Sequence, residues 1–223
     1  MQEFKTLNLG LTEYKKALKI QFDLLEKRRN DFISDTLILV EHPPTITIGR
    51  GGNLNNLLVS EEHLKNNGIH FEQISRGGDI TFHGPGQIVG YPIVDLNRLG
   101  KDIHRYLRSL EYLIVDVLKN YDIKSSAFKC ITGVWAGGKK IASIGIGVKR
   151  WITYHGFALN IYNDLDYFDM IIPCGLNKVR MTNIVNESGL DNITMDNVNN
   201  NVIESFAKIF NMKYSGTLDL RVS

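Results

Sequence analysis

Three long stretches of the chain carry apolar residues at the spacing of an α-helix. The most regular is residues 102–121, whose apolar face consists of Ile103, Tyr106, Leu107, Leu110, Ile114, Val117, Leu118 and Tyr121. Residues 196–211 are also amphipathic, and residues 11–29 combine basic side chains with a stripe of Tyr14, Leu18, Phe22 and Leu25. Because a period near 3.6 residues is typical of surface helices, these patterns predict three helices. A shorter helix is predicted to begin after Ser60 and to end at Gly68.

Short runs of apolar and β-branched residues between these helices predict strands. The runs are DTLILVEH, TITIG, FEQIS, DITFH and QIVGYPIVDL before the long helix, then GVWAGG, KKIASIGIGVKRW and TYHGFALNIYN after it. Since strands and helices are interleaved but partly clustered, we predict an α+β fold and not a doubly wound parallel sheet. We expect one domain over residues 1–223, with residues from about 190 to 223 as a candidate peripheral extension.

The composition is that of a globular protein and narrows the class of partner. Hydrophobic residues make up 43% of the 223 residues, and 26 basic against 24 acidic residues give a net charge of +2. So mild a charge gives no argument for binding nucleic acid. The sequence contains no apolar run long enough to predict a membrane span and does not start like a secretory signal, so we expect a cytoplasmic protein. Two cysteines, Cys130 and Cys174, are too few for a disulfide framework.

Common cofactor and metal motifs do not fit this sequence. Residues 133–139 resemble a phosphate loop, but Lys140 stands where Ser or Thr would bind magnesium, and the segment lies between predicted strands. The run GPGQIVG is not followed by a helix, as a dinucleotide-binding fingerprint requires. The six histidines are scattered, and neither cysteine has a partner at zinc spacing. We therefore expect no cofactor and no metal ion.

Two segments carry residues suited to chemistry. Residues 76–87 surround a short strand with four glycines and include Arg76 and His83. Such glycines let a ligand approach the backbone, although two ordinary hairpin turns explain the composition equally well. A Pro-Cys-Gly turn at Cys174 can present sulfur to a pocket, although a lone cysteine is more often a small buried hydrophobe. Lys140 enters an apolar strand, where burial makes an amine a better base than at a solvated turn.

Long motifs around these residues resemble the lipoyl(octanoyl) transferase family of lipoate biosynthesis. They are EHPPTITIGRGGNLNNLL, RGGDITFHGPGQIVGYPIVDL, GVWAGGKKIASIGIGVKRWITYHGFALNI and FDMIIPCGL, in the order and spacing of that family. The chain departs from the family at Asp79, where a neutral Gln is common, and in the segment LNKVRMTNI after the cysteine. The resemblance implies a mixed, mostly antiparallel β-sheet flanked by helices, similar to the catalytic domains of biotin and lipoate protein ligases.

The resemblance also implies an activity and the residues that perform it. Members of the family move an octanoyl group from octanoyl-acyl carrier protein to a lysine of a lipoyl domain. Expected acceptors are the lipoyl domains of 2-oxoacid dehydrogenase E2 subunits and the glycine cleavage H protein. Cys174 is implied as the nucleophile, which carries the acyl group as a thioester, and Lys140 as its base. The implied substrate-binding residues are Arg76, Gly77, Gly78, Asp79, Ile80, Thr81, Phe82, His83, Ser143, Ile144, Gly145, Gly156, Phe157 and Ala158.

Further roles are expected around this reaction. Backbone N–H groups at residues 77–78 or 143–145 are candidates to hold the oxyanion, and His83 is expected to orient the hydrogen-bond network. Small residues are expected to leave room for the acyl chain, although close strand packing explains Gly147 equally well: Ala142, Gly145, Gly147, Gly156 and Ala158. The acidic carrier protein is expected to dock on basic residues, for which the candidates are Lys15, Lys16, Lys19, Arg28 and Arg29, or Lys149 and Arg150. We expect Cys130 to be structural.

Three other functions remain open from the sequence. An ATP-dependent lipoate or biotin ligase would need no cysteine and would turn over octanoate with ATP. A Cys-dependent thioesterase or amidase would pair Cys174 with His83 or His155 and would release free octanoate. A binding module that retains the fold without catalysis would never form a covalent adduct.

Overall fold

A large mixed sheet forms the centre of the molecule. We describe it from a computed structural model, in which residues 2–128, 131–176 and 179–219 are described. The strand order of the large sheet is β11-β1-β2-β6-β10-β9-β8-β7, and a smaller sheet has the order β4-β3-β5. The strands are β1 (Gln2–Leu11), β2 (Asp35–Glu41), β3 (Thr45–Ile48), β4 (His70–Gln73), β5 (Ile80–His83), β6 (Gln87–Ile93), β7 (Ser125–Phe128), β8 (Ile131–Ala136), β9 (Lys139–Lys149), β10 (Ile152–Asn160) and β11 (Met212–Thr217).

Most strand pairings of the large sheet are antiparallel. The exceptions among the described strands are the parallel pairs that β1 makes with β2 and with β11. In the centre of the sheet, β10 pairs antiparallel with both β6 and β9. The mixed, mostly antiparallel sheet flanked by helices is therefore confirmed.

Helices cover both faces of the large sheet. They are α1 (Tyr14–Arg29), α2 (Glu61–Asn66), α3 (Ile103–Lys119), α4 (Ile184–Ser188) and α5 (Met195–Phe210). One face packs against α3 and α5, and the opposite face packs against α1. The helix α5 belongs to this core, because Val198, Val202 and Phe206 are fully buried with Phe4 of β1. The segment after residue 190 therefore supplies part of the main core.

The small sheet has an apolar core of its own, beside the central strands. Ile46, Ile80 and Phe82 pack there against Phe168 and Ile171. Phe168 lies in a short 3-10 helix, Asp166–Met170, and a second 3-10 turn, Pro173–Gly175, follows it. This packing holds the Pro-Cys-Gly turn between the two sheets. None of the described helices is long and apolar enough to cross a membrane.

Candidate active site

Cys174 lies in the strained centre of the Pro173–Gly175 turn. Its backbone has φ of 57° and ψ of 21°, a left-handed conformation that residues other than glycine rarely adopt. Backbone hydrogen bonds hold the turn on both sides: Gly175 N donates to Ile172 O at 3.0 Å, and Ile172 N donates to Asn56 O at 2.8 Å. Strain of this kind persists only where the surroundings enforce it, and it is concentrated at functional sites.

The side chain of Lys140 meets Cys174 directly. Its Nζ donates a hydrogen bond to Cys174 Sγ at 2.8 Å, and its side chain is almost fully buried. The Nζ also lies 5.5 Å from the centre of the Trp135 ring, at a distance suited to a cation–π contact. No salt bridge to a carboxylate forms at this Nζ within the described part of the chain. The amine and the sulfur therefore contact each other directly in an enclosed setting, which is the geometry that a nucleophile and its base require.

Local backbone geometry fixes the position of Lys140 at the start of β9. Lys140 N donates to Arg180 O at 2.8 Å, and its carbonyl accepts from Thr182 N at 2.9 Å. Gly133 of β8 leaves space for the lysine side chain, since a Cβ there would lie 2.7 Å from Lys140 Cε. Gly133 also has φ of 134°, which only glycine adopts readily.

The backbone of β9 offers one hydrogen-bond donor next to the sulfur. Ser143 Oγ lies 3.9 Å from Cys174 Sγ. Gly77 N donates to Ile146 O at 2.8 Å on the side of β9 that faces away from β10. Because backbone groups of a strand point to alternate sides, the N–H of Ile144 points to this same side, whereas those of Ser143 and Gly145 point toward β10. Ile144 N–H is therefore the candidate oxyanion donor, and Gly77 N–H is already occupied.

A cavity of about 240 Å³ opens beside Cys174. Apolar groups line much of it: Val89, Ile131, Ile144, Phe157, Ala158 and Leu176. Polar side chains from both sheets and from α1 complete the wall: Tyr14, Arg76, Asp79, Thr81, His83, Tyr91, Ser143 and His155. Ligand cavities are typically of this kind, mainly apolar with a few oriented polar groups.

Arg76 reaches the cavity through an ordered network. Its Nη2 donates to Thr47 O at 2.8 Å and to Thr47 Oγ1 at 2.9 Å, and the Thr47 hydroxyl lies 3.4 Å from His83 Nε2. His83 Nδ1 in turn lies 2.8 Å from Gln87 Oε1. Since Gln87 Nε2 donates to Asn160 Oδ1, the Gln87 oxygen is the acceptor for His83. Burial lowers the pKa of His83 well below its ordinary value, so the ring is neutral and both its nitrogens are engaged in the network.

Asp79 supports the cysteine turn from the other side. Its Oδ1 accepts from Asn53 N at 3.1 Å and from Ile80 N at 2.7 Å, while its Oδ2 accepts from Asn56 Nδ2 at 2.5 Å. Asn56 also holds the turn through its carbonyl. The carboxylate therefore connects residues 53–56 to the segment that carries Cys174.

Comparison with known proteins identifies the family. The family model "Lipoyl protein ligase A/B catalytic domain" matches residues 13–207. The chain belongs to this family. Relatives named octanoyltransferase include one from Solibacter usitatus, 44% identical over 92% of this chain and 92% of its own length. Another, from Caldicellulosiruptor saccharolyticus, is 46% identical over 92% of this chain and 88% of its own.

Solved structures of the lipoyl protein ligase family share the fold. A lipoate-protein ligase A bound with ATP superposes with a TM-score of 0.78 at 18% identity, over 99% of this chain and 91% of that one. The biotin protein ligase from Aquifex aeolicus superposes with a TM-score of 0.52 at 13% identity, over 95% of this chain and 69% of that one. The predicted similarity to the catalytic domains of lipoate and biotin ligases is therefore confirmed for the fold.

Three of the substrate-binding residues implied for this family member do not line the cavity. Ile80 and Phe82 point into the core of the small sheet, and Phe82 stacks on Tyr167 with ring centres 4.5 Å apart. Their neighbours Thr81 and His83 do line the cavity, because side chains alternate between the faces of a strand. The third, Gly77, contributes its backbone to β9 instead. The other implied substrate-binding residues lie at the cavity beside Cys174: Arg76, Gly78, Asp79, Ser143, Ile144, Gly145, Gly156, Phe157 and Ala158.

Two small residues expected to leave acyl space do not do so. The ring of Tyr154 lies over Gly147, where a Cβ would be 2.3 Å from it, so the glycine serves close packing. Ala142 is buried in the core beneath α3 and α5. Gly145 borders the cavity but is partly covered, since a Cβ there would lie 3.0 Å from Arg76 Cδ.

Sequence reasoning missed several residues of the cavity wall, Ile131 and Thr132 among them, and misplaced one basic residue. Tyr14, Val89 and Tyr91 line the cavity, although their patterns indicated only a helix stripe and a buried strand. Arg28, a candidate for the basic docking face, is buried and bonded to Asp35 at 2.6 Å. Cys130 lies outside the described residues. No group of three His, Cys, Asp or Glu side chains among the described residues could hold a metal ion.

Proposed function

We propose that the protein is an octanoyltransferase, which moves an octanoyl group from octanoyl-acyl carrier protein to a lysine of lipoyl domains through a thioester on Cys174. The observation that carries this proposal is the 2.8 Å contact between Lys140 Nζ and Cys174 Sγ at an apolar cavity. Relatives from several bacteria, 40–47% identical over most of this chain, are named octanoyltransferase. A nucleophile and a base within hydrogen-bond distance are what covalent acyl transfer requires.

In the first half-reaction, Cys174 takes the acyl group from the carrier. The thiolate attacks the thioester carbonyl, the bond from that carbon to the carrier sulfur breaks, and a new carbon–sulfur bond forms on Cys174. The departing thiolate receives the proton of the Lys140 ammonium, which leaves the lysine neutral. One thioester replaces another, so this exchange is nearly balanced in free energy.

The oxyanion that forms during each attack needs donors close to the sulfur. Ile144 N–H is the candidate donor in both half-reactions, and the Lys140 ammonium, which lies against Sγ, is a second donor in the first. Removal of one such donor commonly slows an acyl-transfer enzyme about a hundredfold or more. The donors are held by a strand and a buried side chain, so they need no reorganisation when charge develops.

In the second half-reaction, a lysine of the lipoyl domain takes the acyl group from Cys174. Neutral Lys140 accepts a proton from the attacking amine, the carbon–sulfur bond breaks, and an amide forms. The products are the acylated lysine, the Cys174 thiolate and the Lys140 ammonium, so the site returns to its starting state. Expected acceptors are the lipoyl domains of 2-oxoacid dehydrogenase E2 subunits and the glycine cleavage H protein.

Intact-mass spectrometry after mixing the protein with octanoyl carrier tests this function. We expect one octanoyl adduct, located on Cys174 by peptide mapping, which disappears when a lipoyl domain is added and reappears as an amide on its lysine. A Cys174→Ala variant that still transfers octanoate at the normal rate would eliminate the proposed intermediate. Turnover of octanoate with ATP and magnesium, without carrier, would instead identify a ligase, and release of free octanoate would identify a thioesterase.

A further inference from the structure

His155 is held in the cavity by a strained backbone. It lies in the middle of β10 with φ of 53°, and its side chain is almost fully buried. In a regular strand it would point away from the face on which its neighbour Tyr154 lies, toward the core under α3 and α5. Instead it contacts Tyr14 of α1, packs near the ring of Tyr91 and lines the cavity. The unusual φ therefore turns the imidazole away from the core under α3 and α5 and into the cavity.

Hydrogen bonds engage both nitrogens of His42 but only one nitrogen of His155. The carbonyl of Thr12 can only accept, so His42 Nδ1 donates to it at 2.6 Å, and His42 Nε2 accepts from the Tyr91 hydroxyl at 2.8 Å. The hydroxyl of Tyr14 lies 3.4 Å from His155 Nδ1 and can bond it in either tautomer of the ring, because a hydroxyl both donates and accepts.

The second nitrogen of His155, Nε2, is buried without a partner. Burial lowers the pKa of His42 to about 4 and that of His155 to about 3, so both rings are neutral and each carries one proton. Within the described part of the chain, Nε2 of His155 has no hydrogen-bond partner. A buried polar atom of this kind requires a partner from a water molecule or a ligand.

The strand register places His155 about one acyl chain away from the cysteine. Ser143, which neighbours Cys174 Sγ, pairs with Ala158 of β10. His155 lies three residues further along β10, a distance of about 10 Å at the rise of a strand. An extended eight-carbon chain has a similar length. Ala158 and His155 both line the cavity, so a chain that starts at Cys174 and follows β10 ends close to the imidazole.

We propose that His155 limits the length of the acyl chain by ending the cavity in an unpaired polar nitrogen. This inference rests on the proposed octanoyl transfer. A chain that stops before Nε2 leaves space for a water molecule that forms a hydrogen bond with it. A longer alkyl chain displaces that water molecule and leaves the nitrogen unpaired in an apolar setting. Such a loss reduces transfer of the longer chain by about tenfold or more.

Two isosteric acyl donors test the role of this nitrogen on the unchanged protein. Decanoyl and ω-hydroxynonanoyl carriers have the same number of chain atoms, but only the second brings an O–H to the end of the chain. We expect kcat/KM to be about tenfold or more higher for the hydroxylated chain, because its hydroxyl replaces the lost water molecule as partner of Nε2. Equal or faster transfer of decanoyl would overturn the proposal.

Two substitutions separate polarity from size. His155→Leu keeps a similar volume but removes the polar nitrogen, whereas His155→Asn is smaller, polar and tolerant of positive φ. We expect the decanoyl-to-octanoyl ratio of kcat/KM to rise about tenfold in the leucine variant and to change little in the asparagine variant. A rise that follows size, largest for asparagine, would show a steric limit and overturn the proposal.

The function and this inference fail in different ways. If wild-type protein forms no octanoyl adduct, the proposed transfer itself is wrong. If it transfers octanoyl but shows neither the hydroxyl preference nor the polarity-dependent ratio, His155 does not set chain length. Thermal unfolding of both variants shows whether they are folded, and the isosteric donors decide the question even if the leucine variant is not.

Discussion

The carboxylate of Asp79 fills the space beside Gly175 that a side chain would need. A Cβ on Gly175 would lie 2.5 Å from Asp79 Oδ2, and Gly175 has φ of 66°. Gly175 is thus restricted twice, by its backbone conformation and by an oxygen that also binds Asn56. The carboxylate of Asp79 therefore organises the loop that holds Cys174.

We expect Gly175→Ala to reduce acyl-enzyme formation about a hundredfold, because the turn must shift and misplace Sγ. Gly189→Ala is the matched control, since Gly189 has φ of 69° but open space around it. Both substitutions should lower the free energy of unfolding by about 1–2 kcal/mol from backbone strain alone. Rapid-quench mass spectrometry measures the adduct, and urea unfolding measures stability. An equal loss of adduct in both variants would contradict the role of the Asp79 contact.

Lys140→Met should reduce the reactivity of Cys174. Removal of the amine 2.8 Å from Sγ takes away the base that the proposed mechanism pairs with the thiol, so alkylation by iodoacetamide should slow about tenfold or more. Lys139→Met is the control, because Lys139 is half exposed and pairs with Glu187 away from the sulfur. Peptide mapping assigns the alkylation to Cys174. If both variants react as fast as the wild type, Lys140 does not activate the thiol.

Sequence patterns predicted the elements that are strongly periodic or buried on both faces. Helix α3 was predicted for residues 102–121 and spans Ile103–Lys119, and β10 coincides with the run TYHGFALN. Strands β1, β7 and β11 were missed because they are short or half exposed, and β11 takes its place only by pairing with β1 over 200 residues away in sequence. Local patterns carry no information about such a pairing.

The candidate site shows the same limit. Resemblance to the family named Cys174 and Lys140, but sequence spacing could not show that their side chains meet. The alternation of strand β5 was visible in the sequence, and it separates Thr81 and His83 from Ile80 and Phe82. The left-handed backbone at His155 could not be predicted, because the surrounding tertiary structure enforces it against the preference of the residue.

The buried histidines should make the fold sensitive to mild acid. Burial lowers the pKa of His42 to about 4, against an ordinary value near 6.5. Between these values the unfolded chain binds a proton that the folded protein does not, so stability is complete above about pH 6.5 and falls as the pH drops. His42 alone should make the protein about 2 kcal/mol less stable at pH 5 than at pH 7.5.

Urea unfolding at both pH values checks this pH dependence. His42→Gln should reduce the difference in stability between pH 5 and pH 7.5, because glutamine does not titrate. His63→Gln should leave that difference unchanged, since His63 is exposed. Burial also lowers the pKa values of His155 and His83, so some acid sensitivity remains in each variant with one substitution. An unaltered difference in His42→Gln would show that His42 is not the source.

Arg28 should act on stability and not on carrier docking. Its guanidinium is buried against Asp35 at 2.6 Å and Asp95 at 3.5 Å, where it joins α1 to the start of β2 and the residues after β6. Arg28→Met leaves the buried carboxylate of Asp35 without its partner, which should lower the free energy of unfolding by about 3–5 kcal/mol. Arg29→Met is the neighbouring control, because Arg29 pairs with Glu26 near the surface and should cost at most about 1 kcal/mol. Urea midpoints compare the stability of the two variants. If Arg28→Met is as stable as the wild type but has a higher KM for octanoyl carrier, Arg28 acts in carrier docking and this prediction is wrong.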